Sequence, residues 1–110
     1  MVTYIPERGD LVGLQFNPQS GHEQAGIRPA LTLSPKAYNQ KVGLAIFCPV
    51  TIQEKGYPFE VEIKDGKIQG AILADQVKSL DWRKREVKFI AKVPLKVINE
   101  VIALLSTLVS

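Results

Sequence analysis

The chain has 110 residues, 45% of them hydrophobic, and carries 14 basic against 11 acidic side chains for a formal charge of +3. That length suits a single domain over residues 1–110, with enough apolar content to fill one core without disulfides or metals. A lone cysteine forbids an internal disulfide, and neither a secretory leader nor a membrane span is legible, so a cytoplasmic protein with no membrane partner is expected.

Gly and Pro punctuate a series of short apolar runs, with no repeat, low-complexity tract or linker, which is the pattern of a mainly β domain. The first run, residues 10–16, sets Val12, Leu14 and Phe16 on one side by the period of two and stops at Asn17-Pro18. A polar segment over 19–26 reads as a loop. It leads into a strand over 28–34, where Pro29 demands an extended neighbour and Leu31 and Leu33 share a face.

Residues 43–51 are almost wholly apolar, as expected of a strand covered on both sides. Pro49 within it must occupy a bulge or an unpaired position, and Cys48 reads as a small buried hydrophobe. Residues 59–64 alternate without a fault, Asp65-Gly66 makes a hairpin turn, and residues 68–74 return as the partner strand. A charged stretch precedes a last strand over 86–93, with Val87, Phe89, Ala91 and Val93 assigned to one face.

Pro94 suits the first position of a helix, where its missing N–H costs nothing, and 95–109 continue with helical spacing. Leu95, Ile98, Ile102, Leu105 and Val109 form one apolar stripe, and Val97, Val101, Leu104 and Leu108 a second beside it. Together they cover about half the circumference, more than the roughly 100° that a surface helix needs for its own core. The surplus points to a partner subunit, or to a helix lying deep in a groove.

A single histidine and a single cysteine leave no metal-ligand cluster and no Cys/His pair, and no Gly-rich phosphate loop is present. No metal or other cofactor is therefore expected. What remains is a set of polar side chains between strands: Glu23, Gln24 and Arg28, then Thr51, then Gln76, Lys78, Trp82 and Arg83-Lys84-Arg85. Taken alone, Glu23 with Arg28 reads as a surface ion pair, Thr51 as a strand residue and the basic run as a solvated cluster.

Six pieces in order change that reading. Gly9-Asp10-Leu11, Glu23-Gln24-Ala25-Gly26 with Arg28-Pro29-Ala30, Leu33-Ser34-Pro35, Cys48-Pro49-Val50-Thr51, Lys55-Gly56-Tyr57-Pro58, and Ala74-Asp75-Gln76-Val77-Lys78-Ser79 with Trp82-Arg83 resemble the successive motifs of the MazF/PemK toxins. The resemblance implies an SH3-like small β-barrel of the CcdB/MazF type with a C-terminal helix, a homodimer, cleavage of single-stranded RNA (mRNA), and a cognate MazE-like antitoxin.

By the same resemblance Arg28 matches the catalytic arginine, Thr51 the phosphate-contacting hydroxyl and Glu23 the acidic residue beside them. Such a set suffices for a metal-free cut: a base takes the ribose 2′-OH proton, the oxygen attacks phosphorus, and a fixed guanidinium neutralises the added charge. An exposed glutamate is a weak base, so His22 stands as a rival. RNA contacts are assigned to Lys55, Gln76, Lys78 and Trp82, with Phe16 and Asn39 as further candidates, because unpaired bases stack on aromatic rings and bond amides. Trp82 reads equally as a packing residue. His22, Ile27 and residues 65–71 depart from the family pattern, which bears on sequence preference and not on the reaction. CcdB-type poisons of DNA gyrase share the implied barrel, so a non-enzymatic toxin is the alternative function.

Overall fold

The computed structural model describes residues 3–15, 27–53, 56–65 and 68–109. Its strands are β1 (Asp10–Leu14), β2 (Arg28–Thr32), β3 (Leu44–Thr51), β4 (Glu60–Asp65), β5 (Ile68–Leu73), β6 (Lys78–Asp81) and β7 (Lys88–Lys92), with helices α1 (Lys36–Val42) and α2 (Leu95–Val109). They form one curled antiparallel sheet in the order β4-β5-β3-β2-β1-β7, with β6 also paired to β3. The result is a half-closed small β-barrel with a C-terminal helix, the fold class that the resemblance implies.

β3 organises this arrangement by having two partners along one edge. Its first half pairs with β6, from Leu44↔Asp81 to Phe47↔Lys78, and its last residues pair with β5 at Val50↔Ile72 and Thr51↔Ala71. Pro49 falls in the gap between them. The Leu33 N–H donates to the Ile46 carbonyl at 2.8 Å, and the alternation of an antiparallel ladder then turns the Pro49 nitrogen away from β2 and into that gap. A residue without an N–H therefore costs no ladder bond there.

The central strands are buried on both faces. Leu11, Leu31 and Cys48 face a core closed by Ile98 and Val101 of α2, while Val12, Ala30 and Phe47 face a second core. Val12 and Leu14 share the second core, as the period of two expects, and all of Asp10–Leu14 is buried because two layers cover the strand. Trp82, in a 3-10 turn over Trp82–Lys84, closes the second core at 5% exposure and donates its indole N–H to the Asn39 carbonyl at 3.0 Å.

In β7 the alternation slips. Leu11 pairs with Ala91 but Val12 pairs with Phe89, so Ile90 is an extra residue in a bulge. Phe89 is consequently turned outward, 47% exposed and edge-on to Tyr4 at 6.0 Å, while Ile90 packs on the core. The expected single face of Val87, Phe89, Ala91 and Val93 does not hold beyond that bulge.

Helix α1 is absent from the sequence reading. It starts after Pro35 and stops at Gly43, whose φ of 84° is the left-handed conformation that glycine adopts without steric cost. Asn39 pins it to the barrel. Its side-chain N–H groups donate to the Pro6 and Ser34 carbonyls at 2.7 and 3.0 Å, and its Oδ1 accepts from Ser34 Oγ at 2.5 Å. At the far end of the chain α2 buries Ile98 and Val101, each worth about 1.5–3 kcal/mol of transfer free energy. It leaves Leu95, Leu108 and Val109 exposed.

Candidate active site

Arg28 opens β2 and Thr51 ends β3, strands whose observed pairs run from Ala30↔Pro49 to Thr32↔Phe47. The observed pairs end at Ala30↔Pro49; the same register continued two residues further would put Arg28 opposite Thr51, with both side chains on one face of the ladder. Arg28 is exposed, so its forked donors are available to an anion. The Thr51 hydroxyl oxygen accepts the Gln53 backbone N–H at 3.1 Å. One lone pair is thereby occupied and the hydroxyl proton is left to donate outward.

Thr51 forms one wall of a cleft of about 330 Å³, whose other walls are Gln53, Tyr57, Glu60, Leu73 and Gln76. The turn entering β4 is braced on both sides of this cleft. Gly56 N–H donates to Glu60 Oε1 at 3.2 Å, and the Tyr57 hydroxyl donates to an Asp75 carboxylate oxygen. That bond to Asp75 is the main reason the Tyr57 phenol is pushed above its ordinary pKa. The other Asp75 oxygen is buried with no hydrogen-bond partner among the described residues.

The residues nominated from sequence separate into groups. Thr51 and Gln76 line the same cleft, Arg28 is exposed at the start of β2 and is not part of that lining, and Lys78 is exposed on β6. Glu23, Lys55 and Phe16, with the rival base His22, lie outside the described residues. Asn39 and Trp82 are corrected. Asn39 is fully buried with its amide committed to Pro6 and Ser34, and Trp82 seals the second core, so neither ring nor amide is open to a base. The basic run is largely structural too: Arg83 donates to the Gln40 carbonyl at 2.9 Å, and Arg85 to the Gln15 and Asp81 carbonyls at 3.0 and 3.2 Å.

Gln53, Tyr57, Glu60 and Leu73 were not singled out by the sequence. The only earlier sign of Tyr57 is its place in the Lys55-Gly56-Tyr57-Pro58 piece; the cleft is assembled from segments far apart in the chain, and no local pattern encodes it. Cys48 is fully buried, its thiol pushed up to about 12 first by burial and then by the Asp75 charge, which makes it inert as a nucleophile. Among the described residues no group of three or more His, Cys, Asp or Glu side chains is placed to hold a metal ion.

A curled antiparallel sheet that half closes into a small barrel with a C-terminal helix, with an exposed arginine opening β2 and a threonine ending β3 at a cleft, defines the class of small β-barrel proteins with a terminal helix. The chain belongs to the family of PemK-like, MazF-like toxins of type II toxin-antitoxin systems, whose model matches residues 7–109. Among its relatives is the endoribonuclease toxin MazF of Escherichia coli K12, 52% identical over 82 residues that cover 74% of each chain. The crystal structure of MazF (Form-I) from Deinococcus radiodurans superposes with a TM-score of 0.88 at 50% identity, covering 97% of this chain and 98% of that one. The MazE-MazF complex (Form-II) from the same organism superposes at 0.87 with 44% identity, over 97% of both chains.

Proposed function

We propose that this chain is an endoribonuclease toxin, an mRNA interferase that cuts single-stranded RNA at a short sequence and so halts translation and growth. The reading is supported by the β2/β3 register, which, continued past Ala30↔Pro49, brings an exposed Arg28 towards Thr51, whose hydroxyl oxygen accepts the Gln53 backbone N–H. Its relatives are named endoribonucleases, which agrees with this chemistry.

In the reaction a base takes the 2′-OH proton, Glu23 being assigned this role with His22 as its rival. The O2′ atom attacks the adjacent phosphorus, the bond from phosphorus to O5′ breaks, and the leaving oxygen takes a proton. The products are a 2′,3′-cyclic phosphate and a 5′-OH. Arg28 offsets the extra negative charge with two aligned donors, and Thr51 adds one hydrogen bond without adding charge. No step needs a metal. Gln76, Lys78 and Lys55 are assigned to the RNA, with Phe16 as a further stacking candidate.

A homodimer is part of the proposal. An apolar groove of about 430 Å³ between α1 and α2 is lined by Leu33, Pro35, Tyr38, Ile46, Ile102 and Leu105, and the exposed Leu108 and Val109 continue along the helix. A second copy of the chain seated on this apolar face would remove it from water. The cognate antitoxin is an acidic, flexible MazE-like segment that competes with RNA for a basic protein of charge +3. Relatives solved as MazE-MazF complexes agree with this. A cytoplasmic location suits an mRNA substrate, and no helix among the described residues is long and apolar enough to cross a membrane.

The test is incubation of pure protein, in EDTA, with a mixed-sequence RNA and with the all-2′-deoxy strand, beside Arg28→Ala. Cutting of RNA only, lost in the variant, is the expected result. An intact RNA under every condition would favour a non-enzymatic poison, and cutting of the deoxy strand would refute attack by the 2′ oxygen.

A further inference from the structure

At one point in the barrel two backbones touch with nothing between them. Gly70 of β5 lies against the end of β3, and a Cβ built on it would fall 2.3 Å from the Thr51 carbonyl oxygen, 3.1 Å from the Thr51 carbonyl carbon and 3.3 Å from the Ile52 Cα. These are main-chain atoms, which cannot rotate aside as a side-chain tip can. The neighbouring ladder contacts hold both partners in place, since Ala71 pairs with Thr51 and Gly70 itself pairs with Ile63 of β4.

We propose that Gly70 is a positioning residue for the cleavage reaction: its missing side chain lets β5 press on the Thr51–Ile52 peptide and so fixes where the Thr51 hydroxyl points. The inference rests on the assignment of Thr51 as a phosphate contact. The hydroxyl is held from two directions, its backbone braced by Gly70 and its oxygen tied to the Gln53 N–H at 3.1 Å. Both constraints act on the short stretch where β3 leaves the sheet. Gly70 touches no RNA in this reading and acts wholly through Thr51.

A methyl group at Gly70 requires the peptide to retreat until 2.3 Å becomes at least 3.0 Å, a movement of about 0.7 Å at the carbonyl. Misplacement on the order of 1 Å in a catalytic array can cost about 100-fold in rate. Binding of the RNA, spread over several contacts along the cleft, depends far less on that one donor.

The experiment compares wild type, Gly70→Ala and Thr51→Ala on an RNA oligonucleotide that the wild type cuts. It measures the single-turnover rate, the affinity for the uncleavable 2′-deoxy analogue, and the rate with each phosphorothioate diastereomer at the cut. The expected result for Gly70→Ala is a rate lower by about 10- to 100-fold, affinity within about twofold of wild type, and loss of the same oxygen-over-sulfur preference that Thr51→Ala abolishes. A rate within twofold of wild type, or a slower enzyme whose sulfur preference is intact, would overturn the proposal.

Should Gly70→Ala melt below the assay temperature, Ile52→Gly is compared with Ile52→Gly/Gly70→Ala. Ile52 is 79% exposed, so glycine there lets the peptide yield without emptying a core, and the same three readings decide. Wild-type protein that cuts no RNA, or Thr51→Ala that cuts normally, would instead defeat the assignment of Thr51, and the role of Gly70 with it.

Discussion

Asn39→Ala tests whether the amide of α1 belongs to the scaffold or to the RNA surface. The substitution deletes donors to the Pro6 and Ser34 carbonyls and the acceptor of the Ser34 hydroxyl, at a residue with no exposed surface. Each buried polar group left without a partner costs about 1–3 kcal/mol. Ser34 Oγ also accepts the Ile46 N–H at 2.8 Å and can turn its proton elsewhere, so the two carbonyls dominate and the expected loss is about 2–4 kcal/mol. For a domain of this size that lowers the melting temperature by roughly 10 °C. The assay is urea denaturation at fixed protein concentration, since a dimer makes stability concentration-dependent, alongside binding of an uncleavable RNA analogue well below the midpoint. Affinity should stay within about twofold of wild type. A stability loss under about 1 kcal/mol with RNA binding weakened more than tenfold would refute the scaffold role and restore Asn39 to the RNA surface.

Trp82→Phe keeps the ring in the second core but removes the N–H bonded to Asn39, which should cost about 1 kcal/mol against about 3–5 kcal/mol for Trp82→Ala, with RNA affinity unchanged in the folded variants; calorimetry and fluorescence anisotropy check this. Arg28→Ala should lower single-turnover cleavage by about 10²- to 10³-fold, the scale of losing a charge-stabilising donor, without altering the melting curve. Cys48 predicts an alkaline weakness. Its thiol is held up to about 12 from an ordinary 9.0, so above pH 9 the unfolded chain sheds a proton that the folded chain keeps. Stability is then complete below about pH 9 and falls as pH rises, by up to about 1.4 kcal/mol per pH unit. The fall in urea midpoint from pH 8 to pH 10 should be smaller in Cys48→Ala than in wild type, the remainder belonging to the Tyr4 and Tyr57 phenols that are also held protonated, and an unchanged pH slope in that variant would contradict the assignment. Tyr38→Glu combined with Val109→Glu alters exposed positions, so it should leave the fold intact while shifting sedimentation from dimer to monomer.

The parts of the fold legible in the sequence are those where burial is one-sided and uninterrupted. Residues 59–64 read as a strand from a clean alternation, and β4 covers Glu60–Asp65; the helix expected from Pro94 to residue 109 is α2, which starts one residue later at Leu95 and ends at Val109. Pro49 is expected at a bulge or an unpaired position; it pairs with Ala30 of β2 and lies unpaired only on the other edge, where β3 changes partners. Alternation failed where a tertiary contact added a residue or a second layer. The bulge at Ile90 turns Phe89 outward, and a second layer makes β1 an all-buried run even though Val12 and Leu14 keep one side. Helix α1 went unread because Lys36–Val42 is short and polar, although Pro35 before it and Gly43 after it are the usual boundary residues. In the site, Arg28 and Thr51 were legible only through the ordered motifs. Glu60 and Leu73 reach the cleft through a sheet register that no local window contains.

The partner switch along β3 divides labour between two kinds of segment. Thr51 rides at the end of a strand clamped by ladders on either flank, whereas Gln53 and Tyr57 approach the cleft from the connection leading into β4. Exchanging the part of that connection beyond Gln53 for one of another composition should remodel what the cleft admits while leaving in place the Gln53 N–H that holds the Thr51 oxygen. A scaffold of this kind lets recognition diversify without re-inventing the cut, and makes the stretch between β3 and β4 the place to graft a new target preference.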